Sequence, residues 1–182
     1  MPRPPSETDL RSPTWLRLGT RCANWWRMLG RRSHEWRIDQ AGKVIRTIRG
    51  FEGDALSARA LGYLRKVEPL VFEEVVLTCL EESGSAVWRN SAYSGDGGID
   101  GLVHLKPWGF MAVQAKRYSS HICREHVVEF HELLQRRGYA RGLFVHTGKT
   151  GTDLRSSLRN SQIYLCSGEK LASLVRHATL NI

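Results

Sequence analysis

The residue types best suited to chemistry lie in the middle of the chain. Asp100 follows a glycine-rich stretch, Ser94-Gly95-Asp96-Gly97-Gly98, while Gln114 and Lys116 stand two apart further along. On an extended strand, residues two apart project from the same sheet face, so Gln114 and Lys116 share one face and Ala115 takes the other. If residues 99–105 and 110–117 form a hairpin, neighbouring strands approach to ~5 Å and Asp100 faces both side chains across the ladder. One carboxylate, one amide oxygen and one ammonium then converge. Oxygen ligands of this kind suit Mg²⁺, which keeps several waters and takes only one or two protein carboxylates. A lysine beside them can steer a water or offset charge developing on a phosphate. Taken singly, Asp100 reads as a turn residue and Lys116 as a surface lysine with its stem on the sheet; the combination points to chemistry.

A second carboxylate comes from the segment opened by Pro69, a good first helical residue. Phe72, Val75, Val76, Cys79 and Leu80 make its apolar face. At ~100° per residue, Glu73 falls at the edge of that face, able to reach the rim of the sheet, whereas Glu74 and Glu81 read as solvated. The alternative for Glu73 is a first-turn carboxylate favoured by the helix dipole.

The elements that must hold these residues follow from periodicity. Helices are predicted at 54–66, from Pro69 to Gly84, and at 124–137, 151–159 and 169–177. Strands are predicted at 86–90, 99–105, 110–117, 142–147 and 163–166. From the Pro69 helix onward, the order α-β-β-β-α-β-α-β-α implies a mixed α/β sandwich around one sheet. Before it, Arg37–Ile48 reads as a short hairpin turning at Asp39-Gln40-Ala41-Gly42.

The chain has 182 residues, 41% apolar and 25% charged, enough for one packed domain with a modest extension. Its net charge of +9 is uneven: residues 1–50 hold 11 Lys/Arg against 4 Asp/Glu. A polyanion partner is implied, nucleic acid before membrane. Trp15, Leu18, Cys22, Trp25, Trp26 and Leu29 recur at helical spacing, with Arg17 and Arg21 off the stripe. This arm reads as a basic DNA- or membrane-binding helix, with Arg17 and Arg21 as phosphate contacts, as a helix packing its tryptophans on the body, or as a stretch partly ahead of a later translation start at Met28. No apolar run approaches the ~20 residues of a membrane span. The four cysteines are widely separated without a CxxC pair, and the start lacks an apolar signal region, so a cytoplasmic protein with reduced thiols is expected.

Several motifs are set aside. His146-Thr147-Gly148-Lys149-Thr150 ends like a phosphate-binding loop but has Leu143 where the first glycine belongs, so no nucleotide cofactor is expected. Asp96 and Asp100 lack the later glutamate of a calcium loop. His121, His126 and His131 do not keep one helical face and read as surface groups. Ser119-Ser120 has no nucleophile-elbow context.

Phe72-Glu73, the run Gly95-Asp96-Gly97-Gly98-Ile99-Asp100-Gly101 and the run Val113-Gln114-Ala115-Lys116-Arg117-Tyr118 closely resemble the Mrr-type restriction endonucleases, a branch of the PD-(D/E)xK nucleases. The likeness continues through Val127, Phe130, Gly142–Gly148 and 163–171, covering about residues 65–175. The resemblance implies a restriction-endonuclease-like α/β core, a mixed central sheet flanked by helices, over residues 51–182, preceded by the basic arm 1–50. It implies a Mg²⁺-dependent DNA endonuclease, with Mn²⁺ as a substitute. Asp100 becomes the main metal ligand, Gln114 stands where the wider superfamily has a carboxylate, Lys116 is the catalytic lysine, and Glu73 supports the metal. Arg117, beside Lys116, joins Arg17 and Arg21 as a DNA contact. A homodimer is compatible with the resemblance. The separate DNA-recognition domain usual in the family does not fit in the residues ahead of 51. A catalytically weak nuclease fold used as a DNA-binding or recruitment module is the alternative, and a nuclease for RNA or junctions a third reading.

Overall fold

The computed structural model describes residues 33–90, 98–159 and 161–180. The expected arm helix with Arg17 and Arg21, and the loop residues through Gly97 with Asp96, lie outside them. The chain divides into two units, Met1–Trp36 and Arg37–Ile182, and the second holds all the elements named below.

Residues 37–49 belong to a helix, α1, not a hairpin. Ala41, Val44, Ile45 and Ile48 recur at helical spacing and are buried in the main core. On the solvent side Lys43 pairs with Asp39 one turn away, at 2.8 Å. The Asp-Gln-Ala-Gly sequence that suggested a turn is overridden by this apolar stripe, so the compact unit begins at Arg37 and not at Phe51.

Helix α2, Leu56–Leu64, leads into α3, Pro69–Glu82. Pro69 opens α3 as expected, and the Glu68 side chain caps it by accepting from the Val71 amide at 2.9 Å. Strands β1 (Ala86–Arg89), β2 (Gly101–Leu105) and β3 (Gly109–Lys116) form an antiparallel meander. Helix α4, Arg124–Arg137, stops at Gly138, whose φ of 71° gives the left-handed turn that glycine tolerates. It crosses over to β4 (Gly142–His146), parallel to β3; α5 (Thr152–Ser157) then leads to β5 (Ile163–Cys166), parallel to β4. Helix α6, Glu169–His177, follows. The sheet order is β1-β2-β3-β4-β5, a mixed sheet flanked by helices.

Alternation along β3 divides the core. Val113 and Ala115 face α1, α3 and α6 with Leu143 and Val145, whereas Ala112 faces α4 with Phe144 and Phe130. Gln114 and Lys116 follow Ala112 in phase. The reading of Glu74 as solvated is incorrect. It is buried and ion-paired with Arg89 of β1 at 3.1 Å, because α3 is covered by sheet over a wider arc than its apolar residues indicate. Glu81, exposed, takes the other side of Arg89 at 2.8 Å. Among the described residues, no helix is long and apolar enough to cross a membrane.

Candidate active site

A cavity of about 360 Å³ opens where β2 and β3 part company, and Glu73, Gly98, Asp100, Gln114, Lys116 and His126 are among its walls. The four residues singled out for chemistry therefore meet in one place. Asp100 precedes β2. Its amide donates to the Val113 carbonyl at 2.9 Å, and its carboxylate accepts from the Ala115 amide at 2.6 Å. These two contacts to the β3 backbone set the carboxylate beside Gln114.

Gln114 is buried, and its Oε1 has no hydrogen-bond partner among the described residues. A buried amide oxygen left unmatched costs on the order of 1–3 kcal/mol, so its direction calls for a ligand. Its amide nitrogen sits where a side chain on Gly98 would begin: a Cβ there would stand 2.5 Å from it. Gly98 also has φ of 98°. Glu73 projects from the first turns of α3, and burial, reinforced by the negative charge of Asp100, pushes its carboxyl up to about 8. Two carboxylates and an orphaned amide oxygen crowded together fit an oxygen-coordinated divalent cation, which would relieve both the repulsion and the unmatched oxygen. Asp100, Gln114 and Glu73 would hold such an ion; among the described residues no three His, Cys, Asp or Glu side chains gather to offer a different site.

Lys116 ends β3 partly exposed and lines the cavity. The backbone around it is stitched down. Thr147 Oγ1 donates to the Tyr118 carbonyl and accepts from its amide, each at 2.9 Å. Arg65 donates twice to the Thr147 carbonyl, at 3.1 and 3.0 Å. Arg117 donates to the Arg65 carbonyl at 2.8 Å, so the residue expected to reach DNA spends part of its guanidinium fastening α2 to the end of β3.

His126 does not fit its reading as a surface group. Half-buried on α4, it lines the cavity, with Nδ1 2.8 Å from the Tyr118 hydroxyl. A signal for this is present in the sequence: His126 lies four residues before Phe130, on the inward side of α4. Its spacing to the apolar stripe, and not to the other histidines, is what locates it.

The restriction endonuclease family model Mrr_cat matches residues 64–175, which includes every wall of this cavity. The chain belongs to the Mrr-type restriction endonuclease family. It is 31% identical over 154 residues to the type IV methyl-directed restriction enzyme EcoKMrr of Escherichia coli K12, a match covering 81% of this chain and 48% of that one. The chain thus spans about half the length of this curated relative. Among solved structures it is similar to the MspJI restriction endonuclease in complex with a 27-mer oligonucleotide, with a TM-score of 0.51, 24% identity, and coverage of 70% of this chain and 33% of that one. That likeness speaks for a restriction-endonuclease-like fold.

Proposed function

We propose that the chain is a divalent-metal-dependent DNA endonuclease hydrolysing phosphodiester bonds, with Mg²⁺ the working ion and Mn²⁺ a substitute. The carrying observation is the unmatched Gln114 Oε1, buried beside a carboxylate pair in a cavity that also holds a lysine. In this reading Asp100 and Gln114 hold the ion and Glu73 supports it. A bound divalent ion supplies charge neutralisation at the phosphate and makes water more acidic. Lys116 contributes an ammonium on the same sheet face, where it orients water and offsets charge building on the phosphate oxygens. Ala115 holds Asp100 in place through its amide, and the Thr147 clamp keeps Lys116 from swinging with the following loop.

DNA is the proposed substrate, and the protein acts in the cytoplasm. The domain from Arg37 onward carries the chemistry, and the basic segment ahead of it, with Arg17 and Arg21, adds phosphate contacts. Arg117 contributes more to holding the frame than to DNA. The word methyl-directed attaches to the relative from Escherichia coli, and whether base modification governs this chain is part of the test.

Purified protein is incubated with plasmid from methylating and non-methylating hosts, in Mg²⁺ or EDTA. Cleavage in Mg²⁺, absent in EDTA and abolished in Asp100→Ala and Lys116→Ala, is expected. Cleavage persisting in EDTA, or a Lys116→Ala protein working at near wild-type rate, overturns the assignment. DNA binding without cleavage under any metal favours a recruitment module.

A further inference from the structure

We propose that a second cavity, of about 750 Å³ at the carboxyl ends of β4 and β5, holds a backbone phosphate of the same DNA, away from the bond that is cut. The inference rests on the DNA reading above. Arg65, Lys149, Arg155 and Lys170 line this cavity against one carboxylate, Glu169. That carboxylate is turned toward α2, where it accepts from the Ser57 hydroxyl at 2.6 Å. Among the described residues no ion pair engages Lys149, Arg155 or Lys170, so the concave wall carries positive charge without a protein counterion. Arg65 uses Nε and Nη2 on the Thr147 carbonyl, which presents its third nitrogen from a fixed frame. Concave, like-charged walls of this kind concentrate an anion.

Topology points to the backbone of the nucleic acid bound at the active site. β3, β4 and β5 are parallel, so their carboxyl ends share one edge of the sheet, and the register is level: Lys116 pairs with His146 and Val145 with Cys166. Two strand spacings of ~4.8 Å separate the strand of Lys116 from β5. A DNA strand carries one phosphate per ~3.4 Å of helix axis, so ~10 Å is the reach of about three phosphates. The cavity therefore lies within reach of a phosphodiester chain engaged at the candidate site. The Gly148-Lys149-Thr150 segment, rejected as a nucleotide loop, acquires a role that needs no nucleotide cofactor: a lysine and a hydroxyl beside a passing phosphate.

The test measures binding of a fluorescent duplex to the full chain in EDTA from about 50 to about 200 mM salt. Variants are Lys149→Gln, Arg155→Gln and Lys170→Gln, singly and combined; all three side chains are exposed, and thermal unfolding checks that the folds match. The slope of log K against log salt should fall by roughly 0.9 for each phosphate no longer neutralised, about one to two phosphates in the triple variant. A Lys43→Gln control, removing a cation already paired with Asp39, should leave the slope unchanged. An unchanged slope in the triple variant, or an equal drop in the control, overturns the proposal. A parallel titration with inorganic phosphate and with a 5′-mononucleotide separates the sources: binding of these that the triple variant abolishes, without change in the DNA slope, reassigns the cavity to free phosphate. Asp100→Ala reports on cleavage alone, so failure of the catalytic reading and failure of the cavity assignment register in different measurements.

Discussion

His146 makes the protein acid-sensitive in a way that can be isolated. The side chain is fully buried at the end of β4, and its Nε2 reaches Thr150 Oγ1 at 3.2 Å. Burial, opposed in part by the Gly148 backbone and aided by the positive charge of Arg155, holds the imidazole down to about 4, from an ordinary 6.5. A depressed folded-state value means that the neutral ring's stability is intact above pH 6.5 and declines as pH falls toward 4, because the unfolded chain binds the proton first. The decline amounts to about 2 kcal/mol at pH ~5 and about 3 kcal/mol at pH ~4. Glu73 works in the opposite sense. Its raised value favours the protonated folded state, a contribution that disappears as pH rises from 4.5 through about 8. The wild-type profile is therefore a mixture, and the difference between wild type and His146→Phe isolates the histidine. Urea unfolding monitored by tryptophan fluorescence between about pH 7.5 and about pH 4 gives that difference. The variant should gain on the wild type by the stated amounts as pH falls, whatever its offset near neutrality from giving up the Thr150 hydrogen bond. Parallel profiles would refute the argument that His146 is buried neutral.

Four other outcomes are expected. Glu74→Ala should cost about 1.5–3 kcal/mol in chemical unfolding by removing the buried partner of Arg89, which keeps Glu81, whereas Glu81→Ala, on the exposed side of the same guanidinium, should cost under about 1 kcal/mol. Gly98→Ala should weaken Mn²⁺ binding, read by calorimetry, since its Cβ would displace the Gln114 amide and its φ of 98° strains any side chain. Tyr118→Phe should lower kcat more than it lowers stability, where about 1 kcal/mol is at stake, if the Tyr118–His126 pair orients groups in the cavity; an equal effect of His126→Phe on both readouts would reduce the pair to packing. A chain starting at Phe51 should aggregate, because it exposes the surface covered by Val44, Ile45 and Ile48, each worth about 1.5–3 kcal/mol, while one starting at Arg37 should remain folded by size-exclusion and thermal melting.

The elements legible in the sequence are those whose pattern and end signals agree. Helix α4 runs from Arg124 to Arg137 as periodicity indicates, with Gly138 to stop it, and β5 and α6 fall at their expected bounds. Disagreement between local and longer-range signals accounts for the misses. At Asp39-Gln40-Ala41-Gly42 a turn-like tetrapeptide sits inside a helix whose stability comes from what Ile45 and Ile48 pack against, which no local window contains. Glu74 depends on Arg89, fifteen residues away on a strand, to be buried as an ion pair. At the site, spacing brings Gln114 and Lys116 to one face, but the Asp100–Ala115 hydrogen bond ends on a backbone amide and leaves no mark in side-chain pattern.

The placement of β3, third of five strands, bears on the lifetime of the site. At Ala112 and Val113 it is paired to β2 on one side and β4 on the other, so this stretch is expected to open only with the middle of the sheet, while β1 and β5 at the margins can fray alone. Gln114 and Lys116 extend past that doubly paired stretch, which ends at Val113, and stay paired to Phe144 and His146 of β4. Asp100 is tethered to β3 through the Ala115 amide. Local openings that admit solvent or a protease at the margins leave β3 closed, and a damaged edge need not dismantle the candidate site.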